Sequence, residues 1–420
     1  MPGLILAAPQ SGSGKTTVTL GLLRALTRQG HVVRGAKSGP DYIDPAYHAA
    51  ATGQPCLNLD AWAMAPESIA TRAATPDLLV IEGAMGLFDG APPIGAGSTA
   101  DLARILSLPV VLIVDAARMA HSVAPLVAGF LRWDPQVRIA GLILNNVGSD
   151  RHGAMLRRAL APLGVPVLGV LPRVADIARP SRHLGLQQAL EDPDLDAYLD
   201  RAADWVTAGC DLPALTALAA PLPKAATPPG PPPAQRIAVA QDAAFSFIYP
   251  HQLQDWRAAG AEIATFSPLA DAPVPEADLI FLPGGYPELH AGRIAQATTF
   301  MQSLRSAAQT TDIFGECGGY MILGDSLTDA EGHVHPMAGL LRLETSFAAR
   351  RLHLGYRHLE AGAGPFKGSW RGHEFHYATT LSARGDPLFA AQDAEGTALP
   401  GMGLRLGRVA GSFAHLIDRA

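Results

Sequence analysis

The sequence predicts an α/β protein that folds as two doubly wound domains, and three observations lead to this class. Short apolar runs alternate with helix-like runs in both halves of the chain, which is typical of parallel sheets covered by helices on both faces. A glycine-rich loop with a lysine follows the first apolar run. A proline-rich stretch interrupts the alternation, because proline continues neither a helix nor a central strand. We predict domains at residues 1–218 and 236–420, joined by a linker at 219–235.

Composition limits the kinds of protein this can be. The 420 residues allow two domains of about 100–200 residues each, and 48% apolar against 17% charged residues allow large cores. A net charge of −6 without a Lys/Arg run argues against nucleic acid as a partner. No apolar stretch reaches the ~18 residues of a membrane span, and no basic segment precedes the first apolar run, so we expect no membrane association and no signal peptide. Three scattered cysteines, Cys56, Cys210 and Cys317, fit a reducing cytoplasm.

A glycine-rich loop follows the first predicted strand, residues 4–8, and precedes a predicted helix, residues 18–28. Strand, loop and helix in this order are what a phosphate-binding loop requires. Backbone N–H groups can surround phosphate oxygens, Lys15 can reach the terminal phosphates, and the Thr16 hydroxyl can bind Mg²⁺. Pro9 replaces the usual first glycine, and an ordinary glycine-rich turn is the alternative. The predicted nucleotide-binding residues are Ser11, Gly12, Ser13, Gly14, Lys15, Thr16 and Thr17.

Acidic residues follow the next two predicted strands. Asp41 and Asp44 come after the strand at 32–37, and Glu82 and Asp89 come after the strand at 77–81. In open parallel sheets ligands bind at the carboxyl ends of the strands, so these acids are candidates for Mg²⁺ coordination or for contact with a group that reacts near the γ-phosphate. Solvated turns and turn caps are the alternatives.

The rest of the first domain continues the alternation. Strands are predicted at 109–115, 138–145 and 165–171, with helices at 120–132 and 150–161. Asn145 and Asn146 end a strand and could read a nucleobase edge, although a simple turn is equally compatible. Arg182 and His183 form either a surface pair or a phosphate or carboxylate contact.

The second domain carries a cysteine in a glycine-rich turn. Strands are predicted at 236–241, 263–266, 279–282 and 312–314, and helices at 252–259 and 291–307. Cys317 follows the strand at 312–314 within Gly-Glu-Cys-Gly-Gly. This pattern predicts a nucleophile elbow that exposes the sulfur at a helix N-terminus, where the thiolate is favoured. A buried structural cysteine is the alternative.

A thiolate nucleophile requires a base and an oxyanion hole. Gly284 and Gly285 end the strand at 279–282, so their backbone N–H groups could form the oxyanion hole together with that of Gly318. His415 follows a strand-like stretch at 408–414 and could lie at a strand end. Spacing alone does not choose among the candidate bases, which are His333, His335, His353, His358, His373, His376 and His415.

Nearly the whole chain resembles the cobyrinic acid a,c-diamide synthases, including the hydrogenobyrinic acid enzymes of the aerobic cobalamin route. The N-terminal half also resembles dethiobiotin synthetase, and the C-terminal half resembles a class I glutamine amidotransferase domain of the cobyric acid synthase type. The stretches that carry the resemblance are Ala-Pro-Gln-Ser-Gly-Ser-Gly-Lys-Thr-Thr, Lys-Ser-Gly-Pro-Asp-Tyr-Ile-Asp-Pro, Glu-Gly-Ala-Met-Gly-Leu-Phe-Asp-Gly, Arg-His-Leu-Gly-Leu, Leu-Pro-Gly-Gly-Tyr-Pro-Glu, Gly-Glu-Cys-Gly-Gly-Tyr-Met and Gly-His-Glu-Phe-His-Tyr.

The resemblance implies a reaction and its participants. ATP, with Mg²⁺, phosphorylates a side-chain carboxylate of hydrogenobyrinic or cobyrinic acid, and ammonia from glutamine displaces the phosphate, at the c and the a acetates. We expect a cytoplasmic enzyme, with a homodimer possible. The resemblance assigns the synthetase step to Asp41, Asp44, Glu82 and Asp89, Mg²⁺ contacts to Thr16 and Glu82, a corrinoid contact to Tyr42, and the glutaminase nucleophile and its partner to Cys317 and His415.

The chain departs from related patterns at two positions. Many class I amidotransferases carry Glu two residues after the catalytic His, but Ile417 stands there, so we predict a Cys–His dyad. Asn146 stands where relatives often have Arg, which weakens the prediction that this position recognises a nucleobase.

Alternatives for the function are a cobyric acid synthase or another tetrapyrrole carboxylate amidase, a ParA/MinD-like ATPase switch, and a binding scaffold with an inactive glutaminase domain. Candidates for binding a polycarboxylate are Arg350, Arg351, Arg357 and Arg371.

Overall fold

The computed structural model of the chain describes residues 2–174, 177, 188–224, 227–228 and 230–420. The chain divides into two compact units, Met1–Thr227 and Pro228–Ala420. Arg182 and His183 lie outside the described residues.

The first unit is built on one sheet. In the described residues its strands follow the order β3-β2-β4-β1-β5-β6-β7, all parallel, and β8 pairs antiparallel with β1. The elements are β1 Pro2–Ala7, α1 Lys15–Arg28, β2 Val33–Ser38, α2 Asp44–Thr52, β3 Leu57–Leu59, α3 Pro66–Ala73, β4 Leu78–Glu82, α4 Thr99–Leu106, β5 Val110–Asp115, α5 Val123–Trp133, β6 Ile139–Val147, α6 Asp150–Leu160, β7 Val167–Pro172, α7 Leu195–Gly209, α8 Leu212–Ala217 and β8 Ala220–Pro221.

The strand order places the chemical residues together. β1 lies between β4 and β5, so the chain leaves β1 in one direction to form β2 and returns later on the other side. Loops that follow the carboxyl ends of parallel strands meet at one edge of such a sheet. In the register, Lys37 of β2 lies opposite Glu82 of β4, and Leu6 of β1 lies opposite Glu82 from the other side. The phosphate loop therefore opens beside the acidic loop after β4.

The predicted linker, residues 219–235, contains a short strand near its start. Its first residues form β8, in which Ala220 and Pro221 pair with Gly3 and Pro2 of β1. Leu222 is buried next to this pair, because apolar surface gains by leaving water even in a proline-rich segment. Proline is accepted here since the pairing occurs at the end of a strand.

The second unit contains a mainly parallel sheet and two further sheets. The mainly parallel sheet has the order β10-β9-β11-β12-β22-β21, and the others have the orders β14-β13-β15-β18 and β20-β19-β16-β17-β23. The elements are β9 Arg236–Ala240, α9 Pro250–Ala258, β10 Glu262–Phe266, β11 Leu279–Leu282, α10 Ala291–Gln296, α11 Thr298–Ala307, β12 Asp312–Glu316, α12 Gly318–Leu323, β13 Ser326–Thr328, β14 Val334–Pro336, β15 Leu343–Ser346, β16 His353–Ala361, β17 Gly368–His376, β18 Thr379–Ala383, β19 Phe389–Gln392, β20 Ala398–Met402, β21 Leu404–Leu406, β22 Val409–Ser412 and β23 Ala414–Arg419.

The α/β class with a parallel sheet in each unit is confirmed, and two predicted elements of the second unit are corrected. The predicted helix at 291–307 is two helices, because Ala297 leaves helical geometry at ψ 76°. The predicted strand at 408–414 ends at Ser412, and His415 lies inside β23 of another sheet instead of at a strand end.

In the part of the chain that the structure describes, none of the helices combines the length and the apolar character that crossing a bilayer requires.

Candidate active sites

The phosphate loop of the first unit is held in shape by one hydrogen bond within the loop and one from β6. The Ser13 hydroxyl donates to the Gln10 carbonyl at 2.9 Å, and Asn145 Nδ2 donates to the Ser13 carbonyl at 3.0 Å. Gly14 has a φ of 83°, and a Cβ atom there would lie 2.3 Å from Asn145 Nδ2. Only glycine fits this position, because a side chain would meet both the strained backbone angle and the amide.

The lysine of the loop points towards the loop after β4. The Lys15 ammonium donates to the Met85 carbonyl, and Leu87 N donates to the Ala8 carbonyl at 2.8 Å. Burial lowers the pKa of Lys15, while the negative charge of Glu82 opposes this shift. The loops after β1 and β4 therefore form one surface that presents a lysine ammonium.

A buried group of charged side chains lies beside Lys15. The Thr16 hydroxyl donates to Glu82 Oε1 at 2.6 Å, and Lys37 Nζ donates to the same oxygen at 2.9 Å and to Asp44. On the other side, His48 Nε2 lies 2.7 Å from Glu82 Oε2. Glu82 is completely buried, so these neighbours replace the solvent that a carboxylate would otherwise need.

The electrostatics of this group follow from burial and opposite charge. Burial raises the pKa of Glu82, but Lys37 and His48 outweigh it and hold that pKa well below its usual range. Burial and the neighbouring Asp41 raise the pKa of Asp44 to about 7. Burial lowers the pKa of His48, but Cys56 and Glu82 raise it to about 10. Glu82 is therefore firmly ionised and paired with cations, whereas Asp44 has a pKa near neutral pH.

The oxygen donors of this group suit a magnesium ion. Mg²⁺ prefers oxygen ligands and is usually bound through one or two carboxylates plus substrate phosphates. Thr16 Oγ1 lies 2.6 Å from Glu82 Oε1 and 3.4 Å from Asp44 Oδ2, so hydroxyl and carboxylate oxygens already converge next to the phosphate loop. Thr16 and Glu82, the predicted contacts, carry oxygen atoms of the kind that Mg²⁺ binds, and Glu82 Oε1 also accepts a hydrogen bond from Lys37.

The remaining predicted residues of the first unit lie around this centre. Asp41 Oδ1 accepts the N–H groups of Ile43 and Asp44 at 2.7 and 3.1 Å, which caps the entry to α2. Tyr42 is half-buried on the same loop. Asp89 Oδ2 accepts the Gly86 N–H at 2.8 Å and acts electrostatically on Lys15. Of the other nucleotide-binding residues, Ser11 and Gly12 are exposed on the loop and Thr17 is half-buried in the first turn of α1.

The two asparagines at the end of β6 act on their surroundings in different ways. Asn145 anchors the phosphate loop through Ser13, whereas Asn146 Nδ2 donates to Asp115 Oδ1 at 3.0 Å. These contacts give both amides a role within the protein.

Sequence reasoning missed two members of the charged group, Lys37 and His48. Lys37 stands in a stretch that carried the family resemblance, but its role depends on the register with Glu82. His48 lies within α2 and offered no signal beyond its residue type.

In the second unit, Cys317 forms the predicted elbow between β12 and α12. Its backbone has φ 47° and ψ −103°, and its N–H donates to the Ser412 carbonyl at 2.8 Å. The following turn fits tightly against β11, because a Cβ atom at Gly319 would lie 1.9 Å from the Leu282 carbonyl oxygen. Within β12, a Cβ atom at Gly315 would lie 2.7 Å from the Gly319 carbonyl carbon.

His415 is the candidate base that the structure places beside this cysteine. A Cβ atom built on Gly284 would lie 2.4 Å from His415 Cε1, 3.2 Å from its Nε2 and 3.3 Å from Cys317 Cβ. Gly284 is therefore flanked by both side chains. A Cβ atom built on Gly318 would lie 3.1 Å from Gly285 N, so the three predicted oxyanion-hole glycines lie close together near Cys317.

The elbow is expected to expose the sulfur and favour the thiolate, but Cys317 is buried. Burial raises the pKa of Cys317 strongly, and the negative charges of Glu288, Glu316 and Glu374 add to this, against a hydrogen bond from the Gly318 amide. Desolvation and like charge outweigh the end of a short helix. The thiol therefore needs a base when it attacks.

We expect Cys317 in the substrate-free protein to be alkylated by iodoacetamide slowly at neutral pH and faster as the pH rises to 10, because only the thiolate reacts. Quantifying the Cys317 peptide by mass spectrometry measures this, with free glutathione as the reference for an unburied thiol. A Cys317 rate that reaches its plateau at or below pH 7 would contradict the raised pKa.

A second titratable cluster lies on β16 and β17. His353, Glu374 and His376 bring one potential metal-ligand atom each within 4.8 Å of one another. However, Arg357 donates to Glu374 Oε2 from Nε at 2.9 Å and from Nη2 at 2.7 Å. A guanidinium thus already neutralises the carboxylate, and we assign no metal to the cluster. This ion pair also gives Arg357 a contact other than the polycarboxylate for which it was a candidate.

Comparison with family models gives one match in each unit. Residues 4–186 match the CobQ/CobB/MinD/ParA nucleotide binding domain, and residues 236–419 match the CobB/CobQ-like glutamine amidotransferase domain. The fold and the two sites thus define a nucleotide-binding glutamine amidotransferase.

Curated relatives cover the chain from end to end. It is 55% identical to the hydrogenobyrinate a,c-diamide synthase of Brucella anthropi, over 100% of this chain and 99% of the relative. The identity is 53% to that of Rhizobium meliloti, over 100% and 99%, and 54% to that of Rhodobacter capsulatus, over 99% and 98%. The chain belongs to the hydrogenobyrinate a,c-diamide synthase family, and the resemblance found in its sequence is confirmed.

Proposed function

We propose that this chain is an ATP- and glutamine-dependent ligase that amidates the a and c acetate side chains of hydrogenobyrinic acid. The observation that carries the proposal is that relatives named hydrogenobyrinate a,c-diamide synthase match 99–100% of the chain at 52–55% identity. Both sites that such a reaction needs are present in this chain. Cobyrinic acid, which carries cobalt, is the second candidate substrate.

The first unit suits activation of a carboxylate. An acetate oxygen of the corrinoid attacks the γ-phosphorus of ATP, the bond from that phosphorus to the bridging oxygen breaks, and ADP leaves. Charge builds up on the phosphoryl oxygens, so catalysis depends on positioning and neutralisation. Lys15 provides a cation at the phosphate loop, and Lys37 provides a second one that is held by Glu82 and Asp44. Bound Mg²⁺ would neutralise phosphate charge, held by Thr16 and Glu82.

The second unit suits release of ammonia from glutamine. The sulfur of Cys317 attacks the amide carbon while His415 takes the thiol proton, and the oxyanion is met by backbone N–H groups of Gly284, Gly285 and Gly318. His415 then protonates the leaving nitrogen, and ammonia departs. Water hydrolyses the thioester to glutamate and restores the thiol.

Ammonia completes the amide. Its nitrogen forms a bond to the carbon of the acyl phosphate, the carbon–oxygen bond to phosphate breaks, and inorganic phosphate leaves. The cycle runs once at each acetate, so two ATP and two glutamine are consumed for each diamide. Asp41, Asp44 and Asp89 support the synthetase step in this proposal, and Tyr42 contacts the corrinoid.

Further parts of the proposal concern organisation. We assign the synthetase step to residues 1–218 and the glutaminase step to residues 236–420. We place the enzyme in the cytoplasm, where ATP and glutamine are supplied, and expect no nucleic acid or membrane partner.

Mass spectrometry of the products tests the proposal. Hydrogenobyrinic acid and cobyrinic acid are offered separately with Mg-ATP and glutamine, and the diamide of hydrogenobyrinic acid is expected as the faster product. A faster reaction with cobyrinic acid would move the assignment to the cobalt-containing substrate. Absence of amide from both, while glutamine is still hydrolysed, would overturn the corrinoid assignment and leave the amidotransferase class.

A further inference from the structure

A carboxylate lies next to Nδ1 of the His415 ring. Glu316, the last residue of β12, has Oε2 at 3.6 Å from His415 Nδ1. Its other oxygen, Oε1, accepts the Leu416 N–H at 3.0 Å. Both side chains are almost completely buried, with 1% of the Glu316 side chain and 2% of the His415 side chain exposed. One carboxyl group thus lies within ion-pair distance of the base, slightly beyond hydrogen-bond length, and accepts a hydrogen bond from the backbone of the residue after it.

The two ring nitrogens of His415 face different partners. Cε1 and Nε2 lie towards Gly284, which Cys317 also flanks, whereas Nδ1 lies towards Glu316. A neutral imidazole that donates from Nδ1 keeps the lone pair on Nε2. That tautomer is the one that can accept a proton from the thiol.

Two titratable groups of β17, His373 and Glu374, lie on the strand that pairs with β23. His373, which faces His415 across the β17–β23 pair, has its pKa lowered to about 3 by burial and by the charge of His415, and so is a neutral neighbour. The Glu374 oxygens are engaged by His376 and Arg357. Ile417 occupies the position, two residues after His415, where the sequence lacks the acid of many class I amidotransferases.

We propose that Glu316 is the positioning residue of the glutaminase site: it fixes His415 in the Nδ1–H form and compensates the imidazolium that forms when Cys317 attacks. The residue before the nucleophile thereby takes the role of the third member of a triad. The proposal rests on the glutaminase step proposed above. It replaces the expected dyad by a Cys317–His415–Glu316 arrangement whose acid and nucleophile are adjacent in sequence.

The substitution Glu316→Gln tests this arrangement with little change in shape. The amide oxygen can still accept the Leu416 N–H, so the amide NH₂ then faces His415 Nδ1 and favours the tautomer with its proton on Nε2. Glutamine hydrolysis is expected to lose about 10²- to 10⁴-fold in kcat, as happens when the acid of a triad becomes an amide. The KM for glutamine should change little, because Glu316 acts through His415.

Two further readouts separate positioning from a general loss of structure. Ammonia-driven amidation by Glu316→Gln should equal that of the unaltered protein. Its deficit in glutamine hydrolysis should shrink as the pH rises, because hydroxide ionises the thiol without His415. Glu316→Asp keeps the charge but places it one methylene further away, so its rate of glutamine hydrolysis is expected to lie between those of Glu316→Gln and the unaltered protein. Glu395→Gln, the same change on an exposed residue, is the matched control and should leave every rate unchanged.

The outcomes are distinct. A kcat for Glu316→Gln within about threefold of the unaltered protein, or a loss expressed only in KM, would overturn the role of Glu316. A deficit that stays constant with pH, together with a loss of ammonia-driven amidation, would also overturn it, because the change would then be structural. Failure of the unaltered protein to hydrolyse glutamine would instead overturn the glutaminase assignment itself.

Discussion

Replacing Lys15 with alanine is expected to slow amidation from either nitrogen source by about 10²- to 10³-fold. The ammonium is buried beside the loop after β4 and donates to Met85, so its removal takes away a cation at the position where phosphate charge would develop. Loss of one such preorganised donor costs on the order of 10²- to 10³-fold in rate. Product formation from glutamine and from ammonium chloride, with saturating corrinoid, measures the effect.

Lys224→Ala is the matched control, because Lys224 is exposed in the described part of the proline-rich segment. It should retain full activity with both nitrogen sources. Glutamine hydrolysis by Lys15→Ala, measured without corrinoid, should persist and report an intact second unit. ATP-dependent amidation by Lys15→Ala at the rate of the unaltered chain would remove the nucleotide site from this loop.

Cys317→Ala is expected to separate the two half-reactions. Without the sulfur no thioester can form, and removal of a catalytic nucleophile reduces turnover by about 10⁶-fold, so glutamine should become useless as a donor. Amidation driven by ammonium chloride should continue, because the carboxylate-activating residues are those of the first unit. Corrinoid amide formed from each donor gives the comparison.

The half-buried Cys210, at the end of α7, provides a cysteine control. Cys210→Ala should use glutamine and ammonia as the unaltered protein does. If Cys317→Ala folds, as judged by an unchanged thermal unfolding temperature, and yet fails with ammonia too, the model of two separate half-reactions is wrong.

The first unit was largely predictable because its signals are local. A strand, a glycine-rich loop and a helix are adjacent in sequence, and acids that follow buried parallel strands must reach the same edge of the sheet. Lys37 shows where this reasoning ends. Its partner Glu82 stands 45 residues later, and their contact depends on β2 being placed next to β4, which no spacing in the sequence specifies.

In the second unit the elbow could be predicted from adjacent residues, whereas spacing alone did not choose its base and only the family resemblance named His415. Gly-Glu-Cys-Gly-Gly is a local pattern, whereas His415 comes from β23 and meets Cys317 only after two sheets have formed. Glu316 was overlooked for the same reason, since its contacts are His415 and Leu416. The strands between β13 and β20 gave weak signals because their buried positions are not consistently apolar, as Gly372, Glu374 and His376 at buried positions of β17 illustrate.

The close packing around Cys317 has a consequence for how such a chain can diverge. At Gly319 and Gly315 the space for a side chain is filled by main-chain atoms, at 1.9 Å and 2.7 Å from where a Cβ would stand. Main-chain atoms cannot move aside by changing rotamer, so a codon change at either site damages the fold whatever residue it introduces. During evolution, residues that face the substrate can therefore be substituted one at a time, whereas Gly315 and Gly319 of the turn around Cys317 must be retained together.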